Sequence, residues 1–270
     1  MGWLLFFMKL SRWSITMVDH VLGRQLDLLA LRSMPALRTE LYDGWLLRFT
    51  QGFTGRANSV TAMDAGVLAL DEKIAYCEAR YIEHELPIMF RLTDMSQPAE
   101  LEAVLIKRGY ELRNGDGSLT QVQTAAIAAQ DIDTGTLAVR QYSQANAEWV
   151  EAIATLAGKS VTAYATLQSM LVLVEQPVCC ALLLDGDEPI AVGIGVVEGD
   201  WLGVFSVMVA ESRRRQGLGT LVMQVLFNWA VEAGASRSYL QVEAQNSAAL
   251  RLYAKLGYQP VYRYWYRVKA

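Results

Sequence analysis

Apolar residues recur at helical spacing over 19–33, after which the pattern breaks into the short runs expected of strands. Residues 42–49 read as one strand, 51–55 as a turn, and 56–60 as the opening of a second strand. An amphipathic helix is predicted over 71–85, stopped by Pro87. A short strand follows at 88–92. Pro98 marks a helix start, and Gly109 supplies a natural cap for a helix over 99–108. Residues 122–136 are rich in Ala, Gln, Asp and Thr with little periodicity, and their later part reads as a linker between two halves.

The second half alternates more regularly. Strands are expected at 137–142, 179–184, 190–197, 201–209, 238–243 and 258–268, and helices at 145–156, 163–174, 221–230 and 247–256. Asp185-Gly186-Asp187-Glu188-Pro189 has hairpin-turn chemistry. The pattern predicts an α/β protein in two units, 18–125 and 137–270.

Composition narrows the function classes. The chain has 270 residues, 53% hydrophobic and 19% charged, enough for one large or two small packed domains. With a net charge of −4 and no long basic run, nucleic acid is not expected as a partner. Three cysteines without metal spacing, Cys77, Cys179 and Cys180, argue for a reducing, cytoplasmic setting; the adjacent pair reads as buried small side chains. Both histidines, His20 and His84, lie in the first half, which excludes a histidine triad or zinc site in the second. The apolar stretch 2–8 is far shorter than the ~20 residues that span a bilayer, so no membrane association is expected. It lacks the flanks of a signal peptide. It is either an apolar arm packing on the body or extra sequence ahead of Met17.

The most telling stretch is 209–220, Val-Ala-Glu-Ser-Arg-Arg-Arg-Gln-Gly-Leu-Gly-Thr, set between a strand and a helix. Gly217 and Gly219 let backbone approach a ligand, and the unpaired N–H groups of a helix's first turn, with its dipole, attract an anion. The stretch is neither a Walker loop nor the Gly-x-Gly-x-x-Gly dinucleotide fingerprint. Downstream, 241–258 carries Asn246, Ala249, Tyr253 and the ending Leu256-Gly257-Tyr258. In this order, the two segments resemble the GCN5-related N-acetyltransferases (GNAT), over roughly residues 137–268.

The resemblance implies two GNAT-like units, each a mixed, mostly antiparallel sheet flanked by helices. It implies acetyl-CoA as co-substrate and direct transfer to a small-molecule or peptide amine. The pyrophosphate would lie on the backbone of Arg214, Arg215, Gln216, Gly217, Leu218, Gly219 and Thr220. The pantetheine arm would enter a gap between Val207-Met208-Val209 and Tyr239-Leu240-Gln241, where a free N–H near Met208 or Val209 would polarise the acetyl carbonyl. Tyr253 sits where the family places its general acid; on periodicity alone it is equally a core tyrosine. Asn246 caps the helix, touches the cofactor, or does both. Glu243 and Glu198, each at a strand end, are the candidates for the base, alongside a water chain. No metal is implied.

Other polar groups stay open. Arg56, Asn58 and Ser59 either contact the acceptor or serve a turn and strand edge. Tyr262, Tyr264 and Tyr266 alternate on one face, to wall the acceptor site or to pack. The acidic balance slightly favours a cationic acceptor, and a homodimer is left open. The rival reading is a coenzyme-A-binding sensor or interaction module without turnover.

The halves also echo each other. Aligning Gly109-Tyr110 with Gly257-Tyr258 brings Ser59-Val60 almost onto Ser206-Val207. On that alignment Leu105 replaces Tyr253, Pro98 falls at Asn246, and 63–70 lacks the Arg-Gly cradle. The first half is therefore expected to be a degenerate copy without its own cofactor.

Overall fold

The computed structural model describes residues 19–114 and 119–269; the apolar stretch 2–8 and Met17 lie outside them. The first half runs α1 (His20–Ser33), β1 (Arg38–Tyr42), β2 (Trp45–Phe49), β3 (Val60–Ala62), α2 (Leu70–Glu83), β4 (Ile88–Thr93), α3 (Leu101–Lys107), β5 (Glu111–Leu112) and β6 (Thr120–Ala126). The second runs β7 (Ala138–Tyr142), α4 (Ala147–Ala157), α5 (Ala165–Val172), β8 (Val178–Asp185), β9 (Glu188–Glu198), β10 (Trp201–Val209), α6 (Leu218–Glu232), β11 (Arg237–Glu243), α7 (Ser247–Lys255) and β12 (Gln259–Lys269). This is a mixed α/β fold with a mostly antiparallel sheet flanked by helices. No described helix is long and apolar enough to cross a membrane.

Asp43 and Gly44 split the single strand expected at 42–49. Both take positive φ, 43° and 82°, and turn β1 back onto β2 as a two-residue hairpin. A larger departure concerns β6, for which the sequence pattern predicts no element: it lies inside the sheet, antiparallel to β11 along its whole length and to β12 on the other side. Pairing on both edges supplies what its small and polar side chains do not signal.

The strands of the described residues form one 12-stranded sheet in the order β1-β2-β3-β4-β12-β6-β11-β10-β9-β8-β7, with β5 on β12. The ranges 18–125 and 137–270 thus exchange strands. β12, from the end of the chain, pairs with β4, while β6 completes the edge of β11. A fragment of residues 137–270 is consequently expected to aggregate or stay unfolded, because β11 loses β6 and presents an open edge, and β12 loses both β4 and β6. Circular dichroism and size exclusion of that fragment test this; a cooperative monomer would overturn it.

Among the described residues two strand pairs are parallel, β3 with β4 and β10 with β11, and a helix bridges each, α2 and α6. α6 packs closely on β9: a Cβ at Gly193 would come within 2.6 Å of Val222. The absent side chains at Gly193 and Gly195 let the helix settle on the sheet and set where its first turn points.

A second tie joins the halves. Arg91 on β4 donates to Asp27 on α1 at 2.7 Å, and the Tyr262 hydroxyl of β12 donates to the same carboxylate oxygen. All three groups are buried.

Candidate active site

β10 and β11 run side by side only from Trp201↔Arg237 to Val204↔Leu240. Beyond that point β10 stays on β9 while β11 stays on β6, so a gap opens between them. A bulge in β10 between Phe205 and Met208, with Ser206 at φ 50°, accompanies the divergence. Tyr239 and Leu240, expected on the gap's far wall, are still paired; the wall begins at Gln241. Ala210 donates to Ile190 on β9. Because N–H direction alternates along a strand, the Val209 N–H turns the other way, into the gap, and Met208 faces β9.

The chain leaves this gap through a short 3-10 turn, Glu211–Arg213, and enters α6 at Gly217. Gly217 has φ 83° and ψ −7°, a left-handed conformation that costs a residue with a Cβ about 1–2 kcal/mol. No side chain caps α6. The N–H groups of Arg215, Gln216, Gly217, Leu218, Gly219 and Thr220 donate to no described residue. Six donors at a helix start suit a pyrophosphate, which accepts from several at once. Arg213 is tied to Asp185 of the β8–β9 hairpin. Arg214 is 63% exposed and only loosely paired with Glu211, and Arg215 is exposed, so both are available to an anion.

α7 lies against this turn: a Cβ at Gly219 would sit 3.0 Å from Leu252. The next residue, Tyr253, packs with Val207, Val209 and Leu218 in one apolar cluster. Burial pushes its hydroxyl up to about 12, and that hydroxyl bonds to no described residue. Asn246 accepts from the Ala249 N–H at 3.1 Å, a helix cap.

The two carboxylates separate. Glu243 ends β11 opposite Thr120 and lines a cavity of about 320 Å³ together with Arg56, Arg113, Gln241, Tyr264 and Tyr266. Glu198 lies opposite Trp201, ~20 Å along β10 from Val207, and is held by Arg32 of α1 at 2.7 Å. The structure does not bring Glu198 to the gap.

The first-half cluster divides as well. Asn58 is a turn residue: its side-chain oxygen accepts from Thr50 and Gly52, and its amide donates to the Thr54 carbonyl. Ser59 is buried without a partner. Arg56 reaches across to Gln241 at 2.6 Å, and Gln241 also accepts from Tyr264 at 2.9 Å. Tyr264 and Tyr266 wall the cavity, whereas Tyr262 faces Asp27. Arg113 carries no signal in the sequence; only the pairing of β5 with β12 delivers it here.

This arrangement can be set beside known proteins. The family model described as "Probable histone acetyltransferase Rv0428c C-terminal" matches residues 23–267, nearly the whole chain. The chain belongs to that family, and with it to the GCN5-related N-acetyltransferases. This N-acetyltransferase is 29% identical over 252 residues to "Uncharacterized N-acetyltransferase YobR" of Bacillus subtilis (strain 168), covering 91% of this chain and 98% of the relative. In fold it is similar to a GCN5-related N-acetyltransferase from Kribbella flavida, with a TM-score of 0.64, 16% identity and coverage of 94% and 96% of the two chains. It is similar, too, to a tandem GNAT protein from the clavulanic acid biosynthesis pathway, with a TM-score of 0.59, 11% identity and coverage of 73% and 69%.

Proposed function

We propose that this N-acetyltransferase moves the acetyl group of acetyl-CoA directly to a primary amine within a ternary complex. The observation that carries the reading is the gap beyond Val204↔Leu240, which adjoins the six free N–H groups at 215–220. Acetyl-CoA would supply an activated thioester, with a thiolate as leaving group.

The chain's own residues divide the remaining work. The 215–220 backbone with Arg214 and Arg215 holds the pyrophosphate. The Val209 N–H, fixed by the β9–β10 ladder, faces the place where negative charge develops on the carbonyl oxygen. Tyr253, protonated up to about pH 12, holds the proton that a departing thiolate needs. Glu243 takes the amine proton, directly or through water. Asn246 acts through its cap, holding the helix that carries Tyr253. A covalent acyl-enzyme is not supported, since burial pushes Cys179 and Cys180 up to about 12, far from the thiolate form.

We read the halves as diverged copies of which one binds cofactor. Gly109 and Gly257 share a positive φ, 83° and 85°, and each leads to a buried tyrosine, Tyr110 and Tyr258. In the first half, the N–H groups of Val67 and Leu68, ahead of α2, already receive the Asp43 carboxylate at 2.9–3.0 Å, with Lys73 3.1 Å from it. An internal anion thus fills the place that the pyrophosphate would take in the second half.

Titration calorimetry with acetyl-CoA is expected to give one site per chain, and thiol release should appear with some members of a broad amine panel. Two sites would refute the one-cradle reading. Tight binding with no thiol release across the panel, and no change in Tyr253→Phe, would point to a non-catalytic coenzyme-A-binding module.

A further inference from the structure

Several buried or half-buried arginines of this protein are matched by a carboxylate. Arg91 has Asp27, Arg267 has Glu102, and Arg80 has Glu40. The cavity beside Glu243 is lined by two arginines that no described carboxylate pairs, the half-buried Arg56 and the exposed Arg113. Arg56 spends one N–H on the neutral Gln241 oxygen and lies 5.7 Å from the centre of the Phe205 ring. Arg113 lies 5.6 Å from the centre of the Tyr266 ring. Behind the loop, the buried Arg48 donates to the carbonyls of Arg56 and Met34. None of these three has a carboxylate in ion-pair range among the described residues.

Unmatched cations in a half-buried site repel one another, and an entering anion relieves that. Their proximity is felt at Arg48, whose guanidinium is brought down to about 10 by burial and then by the charges of Arg56 and Arg91. The same cavity holds one carboxylate, Glu243, on the strand that borders the gap. Its lining is therefore two-signed: guanidinium groups on the first-half loop and after β5, a carboxylate at the end of β11.

We propose that the acceptor is a small amine that also bears an anionic group, a carboxylate or a phosphate, with the anion on Arg56 and Arg113 and the amine toward Glu243 and the gap. This rests on the acetyl-transfer reading above. A volume of about 320 Å³ lies at the small end of ligand sites, which suits an amino acid or an equally small phosphoamine. A Lys-rich peptide would bring positive charge against two guanidinium groups that have no carboxylate partner among the described residues. The overall acidity of the chain, which favours a cation, is thus reversed locally.

The test uses the full chain with acetyl-CoA and reads thiol release from matched pairs: leucine against leucinamide, phosphoethanolamine against ethanolamine, and a Lys-rich peptide. The anionic member of at least one pair is expected to exceed its neutral partner by about tenfold or more in kcat/KM, the scale of a charge-assisted contact. Arg113→Gln, an exposed change that spares the fold, should erase that preference through KM; Arg56→Gln should do the same. Acetyl-CoA affinity, read separately by calorimetry, should stay at the wild-type value. Thiol release with no preference in either pair, or a preference that survives both variants, overturns this proposal and leaves acetyl transfer standing. No release with any amine removes the reading on which it rests, and the proposal with it.

Discussion

Tyr253→Phe is expected to lower kcat by roughly 10²- to 10⁴-fold, the usual contribution of a positioned acid or base. The hydroxyl has little else to do. It bonds to no described residue, while the ring is held by the apolar cluster and by Tyr258, 5.7 Å away between centres. Phenylalanine keeps that packing, so folding stability and acetyl-CoA affinity should be unchanged. The pH profile adds a second check. Burial keeps the tyrosine protonated up to about 12, so the wild-type rate should rise as the amine loses its proton, with no fall from this residue below that pH. A variant within threefold of wild type would remove Tyr253 from the chemistry and leave it a core residue.

The largest expected effect on stability comes from Asp27→Ala, about 3–5 kcal/mol, the cost of leaving one member of a buried pair unmatched. Arg91 would remain buried, 5% exposed at its side chain, with no carboxylate, and Tyr262 would lose its acceptor. Because Asp27 lies on α1, Arg91 on β4 and Tyr262 on β12, the loss loosens the joint at which the end of the chain enters the first half. Replacing the pair together, Asp27→Leu with Arg91→Met, should recover most of the loss, since apolar packing removes the stranded charge. Urea unfolding of the single and double variants tests this. A single variant within about 1 kcal/mol of wild type would show that the pair contributes only what a surface bridge does.

Much of the proposed cofactor side was legible in the sequence because it is contiguous. The strand Trp201–Val209, the turn with Gly217 and the helix Leu218–Glu232 follow one another along the chain, and their signals are local: an apolar run, a glycine at a positive φ, an amphipathic helix. The cap at Asn246 is local in the same way. The acceptor side gave no such signal. Glu243 and Glu198 look alike as strand-end carboxylates, and they part only because an arginine from α1 meets one of them and the gap opens beside the other.

What the sequence by itself determined is the strand, glycine turn and helix of the proposed cradle, along with most of the elements in order. The tertiary structure decided the rest: that β6, for which the sequence predicts no element, is an inner strand of the sheet, that β12 joins the first half, and that Arg56 and Arg113 share a cavity with Glu243. The physical reason is range. Helix starts, caps and tight turns are fixed by hydrogen bonds between residues a few positions apart. The pairings of β6 and β12 and the walls of this cavity are fixed by pairing and burial among residues far apart in the chain, and nothing at one such position announces the other.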